Sequence, residues 1–157
     1  MTDALDARHA LDRWNAVLQL YGQVASRLHT LLDAAHGLGL TEFLALRALA
    51  THAQPHMRIQ QLASHLGLSH SATSRLVARL EQTGSLRRYE CATDRRGMYT
   101  ELTAAGREKF VAADASYGHA VTEMMSSSAA RELFAKLAPR KRAVSKPAAR
   151  RRGLPPR

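Results

Sequence analysis

Apolar residues recur at spacings of three and four between residues 5 and 36: Leu11, Trp14, Leu18, Tyr21, Ala25, Leu28 and Leu32. This heptad seam, held for three repeats, predicts one long helix with an apolar stripe. Such a stripe packs on its own domain or on another subunit, and different segments of one helix can do each. Gly37 and Gly39 end it, as glycine does near a helix C-terminus. Thr41 is expected to open a second helix, with Glu42 in its first turn and Phe43, Leu46, Leu49 and Ala50 on the buried side. Gln54-Pro55-His56 reads as a turn.

The pattern then tightens. Ile59, Leu62, Ala63 and Leu66 share one face of a short helix over 58–66, which Gly67 breaks. Ser69 can cap a further helix over about 70–83, with Leu76, Val77 and Leu80 inward, and Gly84 ends it. Residues 86–91 and 98–102 read as two short strands joined by Ala92-Thr93-Asp94-Arg95-Arg96-Gly97, a turn of Asp, Gly and charge. Thr103 starts a second long helix to about 125, carrying Phe110, Ala113, Tyr117, Ala120 and Met124 at heptad spacing. Ser126-Ser127-Ser128 is a break, and a short helix over 129–138 stops at Pro139. The fold class is therefore mainly α with one small β-hairpin.

Composition supports helix: 45% of the 157 residues are hydrophobic and only 5% aromatic, and Ala and Leu lose little freedom in a helix. The net charge of +10 points to a polyanionic partner. Its distribution qualifies that. Residues 139–157 hold eight Lys/Arg and no acid, so residues 1–138 carry 15 basic and 13 acidic groups, a net of +2. Specific contact with DNA would fall to the basic groups of the body. The tail is too polar and basic to fold alone, and is expected to be disordered and to add sequence-independent affinity for DNA. A single cysteine, Cys91, excludes an intrachain disulfide framework and suits a reducing cytoplasm. The acidic N-terminus lacks the apolar run of a signal peptide, and no stretch has the length of a membrane span, so no membrane partner is expected.

Residues 59–79 have the mechanics of a helix-turn-helix. Leu62, Leu66, Leu68 and Leu76 supply shared apolar contacts, Ala63 is small at the close approach, and Gly67 allows the sharp turn. The exposed side of the second helix carries Ser69, His70, Ser71, Ser74, Arg75 and Arg79, with no acid before Glu81. Short polar side chains let a helix sit deep in a major groove, and arginine reaches guanine or a phosphate. An ordinary solvated helical hairpin would look similar. The segment that follows decides between them: a short hairpin with Asp94, Arg95 and Arg96 suits insertion into a minor groove, and Asp94 can stiffen it by pairing with an arginine.

The chain here resembles the MarR family of winged helix-turn-helix transcriptional regulators. Asp94-x-Arg96 followed by Leu102-Thr103 matches the family's wing motif, and the run from Leu62-Ala63 through Leu66-Gly67-Leu68-Ser69 and Ser74-Arg75-Leu76-Val77 to Gly84 matches its helix-turn-helix. The resemblance covers about residues 5–125. It implies one domain over 1–138, in which 41–102 form the winged DNA-binding lobe and 5–36 with 103–138 form a helical dimerisation lobe. It further implies a homodimer on an inverted repeat of double-stranded DNA, acting as a repressor. Ser69, Ser71, Ser74 and Arg75 would touch groove and phosphate; of Arg95 and Arg96, one would reach DNA and the other pair with Asp94. A small aromatic or phenolic effector would bind between the lobes, where Trp14, Tyr21 and His29 are candidates, although interface packing is the better reading of these three. The family usually closes its dimer with a well-formed last helix, and here Pro139 cuts that helix short.

The remaining candidates carry less. Cys91 lies in the wing and reads as an incidental thiol. The eight histidines show no zinc spacing, so no metal or other cofactor is expected. No nucleophile triad, phosphate loop or carboxylate pair indicates an enzyme. The rival reading is a winged-helix module that docks on protein, with the tail as its only contact to nucleic acid.

Overall fold

The computed structural model describes residues 2–91, 94–128 and 131, and for residues 2–7, 91 and 94–97 the backbone alone. Helix α1 (Thr2–His36) is followed by α2 (Leu40–Thr51), strand β1 (His56–Arg58), α3 (Ile59–Leu66), α4 (His70–Gln82), β2 (Leu86–Cys91), β3 (Asp94–Leu102) and α5 (Ala104–Ser126). Of the expected 129–138 helix only residue 131 is described, and the basic tail lies outside the described residues.

One core joins the helices to the sheet. Phe43, Leu46 and Leu49 of α2 meet Leu32 of α1, Leu62 of α3, Leu76, Val77 and Leu80 of α4, Leu86 of β2 and Ala113 of α5, all buried. A second cluster, Leu28 with Ala120 and Met124, ties α1 to α5. Arg27 adds an ion pair to Glu123 at 3.2 Å, and His36 a hydrogen bond to Ser116 at 2.9 Å. Among the described residues, the seam predicted along α1 is thus covered only in its second half. Leu11, Trp14, Leu18 and Tyr21 are exposed, Tyr21 to 70%.

Three expectations are corrected. First, α2 opens at Leu40: Gly39 is its N-cap, and the Glu42 carboxylate accepts the Gly39 N–H at 2.9 Å, so the acid does the capping that had been given to Thr41. Second, the supposed turn at 54–56 runs into a strand. His56–Arg58 pairs antiparallel with β3, Met57 opposite Thr100, giving the sheet order β1-β3-β2. Thr100 is buried and donates its hydroxyl to the Met57 carbonyl at 3.3 Å. Third, β3 begins at Asp94 rather than after Gly97; Cys91 pairs with Asp94, with a register shift between Glu90 and Cys91. Charge and glycine mark a turn in sequence, yet antiparallel pairing is made by backbone N–H and C=O groups that such residues also supply.

Backbone contacts bolt the wing to the helix pair. The Thr103 hydroxyl donates to the Gly84 carbonyl at 2.6 Å and accepts the Gly106 N–H at 3.0 Å, capping α5. Gly106 lies so close to Ser85 that a Cβ there would sit 1.9 Å from the Ser85 carbonyl oxygen. Only glycine fits this approach of α5 to the start of the wing.

Candidate nucleic-acid interface

The turn between α3 and α4 is set by local chemistry. Gly67 adopts a left-handed φ of 66°; its N–H reaches the Ser64 carbonyl at 3.3 Å and that of Leu68 the Ala63 carbonyl at 3.0 Å. This Schellman closure satisfies two end carbonyls of α3 and turns the chain within three residues. Ser69 then caps α4, its hydroxyl accepting the Ala72 N–H at 3.2 Å and lying 3.2 Å from the Ser71 hydroxyl.

The two sides of α4 separate cleanly. Thr73, Leu76, Val77 and Leu80 are buried, and the Thr73 hydroxyl is satisfied by the Ser69 carbonyl at 3.0 Å. Ser69, His70, Ser71, Arg75 and Arg79 are exposed, and Ser74 is half-buried. Ser71, Arg75 and Arg79 follow one another at four-residue spacing, about 6 Å apart along the axis. Thr73 alone was missed, because a β-branched hydroxyl looks like surface until its partner on the preceding turn is known.

The arginines differ in what already holds them. Among the described residues Arg75 makes no ion pair and no side-chain hydrogen bond. Arg79, at the far end of α4, has its Nε 3.4 Å from Glu42 Oε1. In the wing, Arg87 pairs with Glu101, and Arg88 donates through Nε to Glu81 at 2.7 Å. Hydrogen bonding from Arg88 holds the Glu81 carboxyl below its usual range. Two wing arginines are therefore already paired within the head. The tip residues Asp94, Arg95 and Arg96 belong to β3, and their side chains lie outside the described residues.

One cation went unread in the sequence. Arg58, at the N-cap of α3, donates to the Tyr99 hydroxyl at 2.8 Å and lies over its ring, 5.4 Å from the centroid. It escaped because the strand that presents it was not recognised. Tyr89 and Tyr99 stack at 6.0 Å on the same sheet face.

Trp14, Tyr21 and His29 do not converge. They are spaced along α1 by about 10 and 12 Å, and Trp14 and Tyr21 are exposed. His29 instead accepts the Leu40 N–H at 3.3 Å beside the α1–α2 elbow. There it lines a small cleft of about 250 Å3 with Asp33, Glu42 and Arg79. A larger cleft of about 420 Å3 is lined by Leu44, Arg47, Ala48, Thr51, His65 and Leu66 of α2 and α3. Among the described residues no helix is long and apolar enough to cross a membrane.

A capped recognition-type helix, a three-residue turn before it and, after it, the hairpin of an antiparallel three-stranded sheet define a winged helix-turn-helix protein. The model of the MarR family matches residues 36–97 of the chain. The chain is similar to YkoM of Bacillus subtilis, an uncharacterized HTH-type transcriptional regulator, at 33% identity over 81 residues. That match spans about half of each chain, 51% of both. Among solved structures it is similar to the transcriptional regulator BldR from Sulfolobus solfataricus, with 25% identity, TM-score 0.69, and coverage of 82% of this chain and 91% of that one. It shares its fold with Sco3205, a MarR family transcriptional regulator from Streptomyces coelicolor solved in complex with DNA (24% identity, TM-score 0.68, 79% and 82% coverage).

Proposed function

We propose that this chain is a sequence-specific regulator of transcription that binds double-stranded DNA as a homodimer. The observation that carries the reading is the exposed face of α4. Ser69, His70, Ser71, Ser74 and Arg75 cluster at its N-terminal end, presented by a fixed turn and followed by a wing. Short donors and an arginine that pairs with none of the described side chains suit a helix end that enters a major groove. Arg95 and Arg96 at the wing serve the adjacent minor groove, with Asp94 stiffening it. The DNA complex solved for Sco3205 supports this direction.

The exposed stripe Leu11, Trp14, Leu18 and Tyr21 supports a second copy as its cover. Two heads related by twofold symmetry read an inverted repeat with half-sites about 34–36 Å apart. Repression follows if the site overlaps a promoter. An aromatic or phenolic effector fits the reading too. Trp14, Tyr21 and His29 remain candidates for it, and the 420 Å3 cleft offers apolar side chains beside Arg47 and His65. The basic tail adds affinity through counterion release, without sequence information.

Selection of bound duplexes from random DNA tests the proposal. The expected product is an inverted repeat, still distinguished from random duplex by a chain ended at residue 138. Arg75→Ala should cost about 1–3 kcal/mol at the selected site and relax its specificity, whereas Arg96→Ala should weaken most sequences alike. If binding is blind to sequence and vanishes with the tail, the α4 reading fails and the protein-docking module takes its place.

A further inference from the structure

Arg79 belongs to the exposed stripe of α4, yet its guanidinium faces an acid of another element. Glu42 comes from the first turn of α2, 37 positions earlier in the chain, and the two side chains meet at 3.4 Å. Their surroundings are unequal. Arg79 is 64% exposed and Glu42 only 20%. The carboxylate is also fixed from behind, because its second oxygen accepts the Gly39 N–H at 2.9 Å. His29 and Asp33 of α1 line the same cleft. The acid is thus a rooted acceptor, and the base is a long side chain lying largely in water.

We propose that Glu42 competes with DNA for Arg79. In the free protein the guanidinium rests on Glu42; on binding it passes to a backbone phosphate, and Glu42 stays behind on the Gly39 N–H. This rests on the reading of α4 as the DNA-contacting helix and adds an internal acceptor that tempers its affinity. The energetics permit the exchange. An ion pair this exposed is weak, and it is screened by salt. A phosphate contact is charge-assisted and releases a counterion. Glu42 loses one partner but keeps its backbone donor, so its carboxylate is not stranded. The contact sets affinity without touching specificity, because a phosphate carries no base information. It also joins the α1–α2 elbow to the last turn of α4, so the same carboxylate that caps α2 sets how readily the head gives up its arginine.

The test compares the full chain with Glu42→Gln, Arg79→Ala and the double variant, on the selected duplex and on a scrambled one. Glutamine keeps an oxygen for the Gly39 N–H and removes the charge that holds Arg79. Glu42→Gln should tighten both duplexes about two- to fivefold, the range set by the strength of an exposed pair. Arg79→Ala should weaken both and lower the salt slope by about one. In the Arg79→Ala background, Glu42→Gln should have no further effect. A gain that persists there overturns the exchange, since it would then come from general charge. A loss of affinity in Glu42→Gln overturns it too, because the carboxylate would then be orienting the head. A double-mutant cycle on thermal stability without DNA should show coupling between the two sites, and additivity would remove the held pair from the free protein. A wild-type chain that binds neither duplex overturns the DNA reading and the exchange with it. Failure of the cycle alone overturns only the exchange.

Discussion

The two halves of α1 carry the same apolar pattern and meet different surroundings. From Val24 onward the helix lies on α5, with Leu28 and Leu32 buried and Arg27 paired to Glu123. Before it, Leu11, Trp14, Leu18 and Tyr21 continue the heptad rhythm into solvent, 49–70% exposed. Periodicity shows that a face is meant to be covered; it carries no record of what covers it. The buried half is a property of the single chain. The exposed half is left open by the described residues, and in our proposal a second copy covers it.

The sharpest way to break this comparison is to truncate one residue from each half. Leu32 is fully buried in the main core, and Leu32→Ala should cost about 2–5 kcal/mol of folding stability. Chemical denaturation would measure it, and its size should not change with protein concentration once the dimer is accounted for. A cost below about 1 kcal/mol would mean that the second half of α1 is not the anchor. Trp14→Ala should do the opposite: leave the far-ultraviolet dichroism intact and weaken self-association by about 2 kcal/mol, close to thirtyfold, as loss of a central aromatic anchor does. Sedimentation equilibrium reads it directly. A wild-type chain that is monomeric at micromolar concentration would sink the proposed role of the first half.

What was legible in the sequence shares one property with α1's second half: its cause is local. The α3–α4 turn was readable because Gly67 and Ser69 act within five residues of themselves, and so was the inward face of α4. What was illegible depends on distant partners. Strand β1 has three residues and one buried side chain, and its pairing partner lies 43 positions on. No alternation can announce so short an element. The polarity of the arginines was hidden in the same way. Arg79, Arg87 and Arg88 look alike in sequence, and only the fold brings Glu42, Glu101 and Glu81 to them. Arg75 looks no different, and among the described residues no acid pairs with it.

The smallest effect is expected where the two halves of α1 meet. Arg27 sits one residue before the buried Leu28, and its pair with Glu123 is 61% and 60% exposed. An exposed pair gains little Coulomb energy and costs side-chain freedom, so Arg27→Ala should change stability by about 0–1 kcal/mol at low salt. The change should shrink further at 1 M salt, where the screening length falls to about 3 Å. Comparing Arg27→Ala, Glu123→Ala and the double variant by thermal denaturation isolates the pair from any packing of the arginine stem. A coupling well above 1 kcal/mol that resists salt would mean that the junction is less open to solvent than in the single chain. The cover inferred for the first half of α1 would then extend across the junction, and the boundary between what one chain provides and what two provide would move toward Leu28.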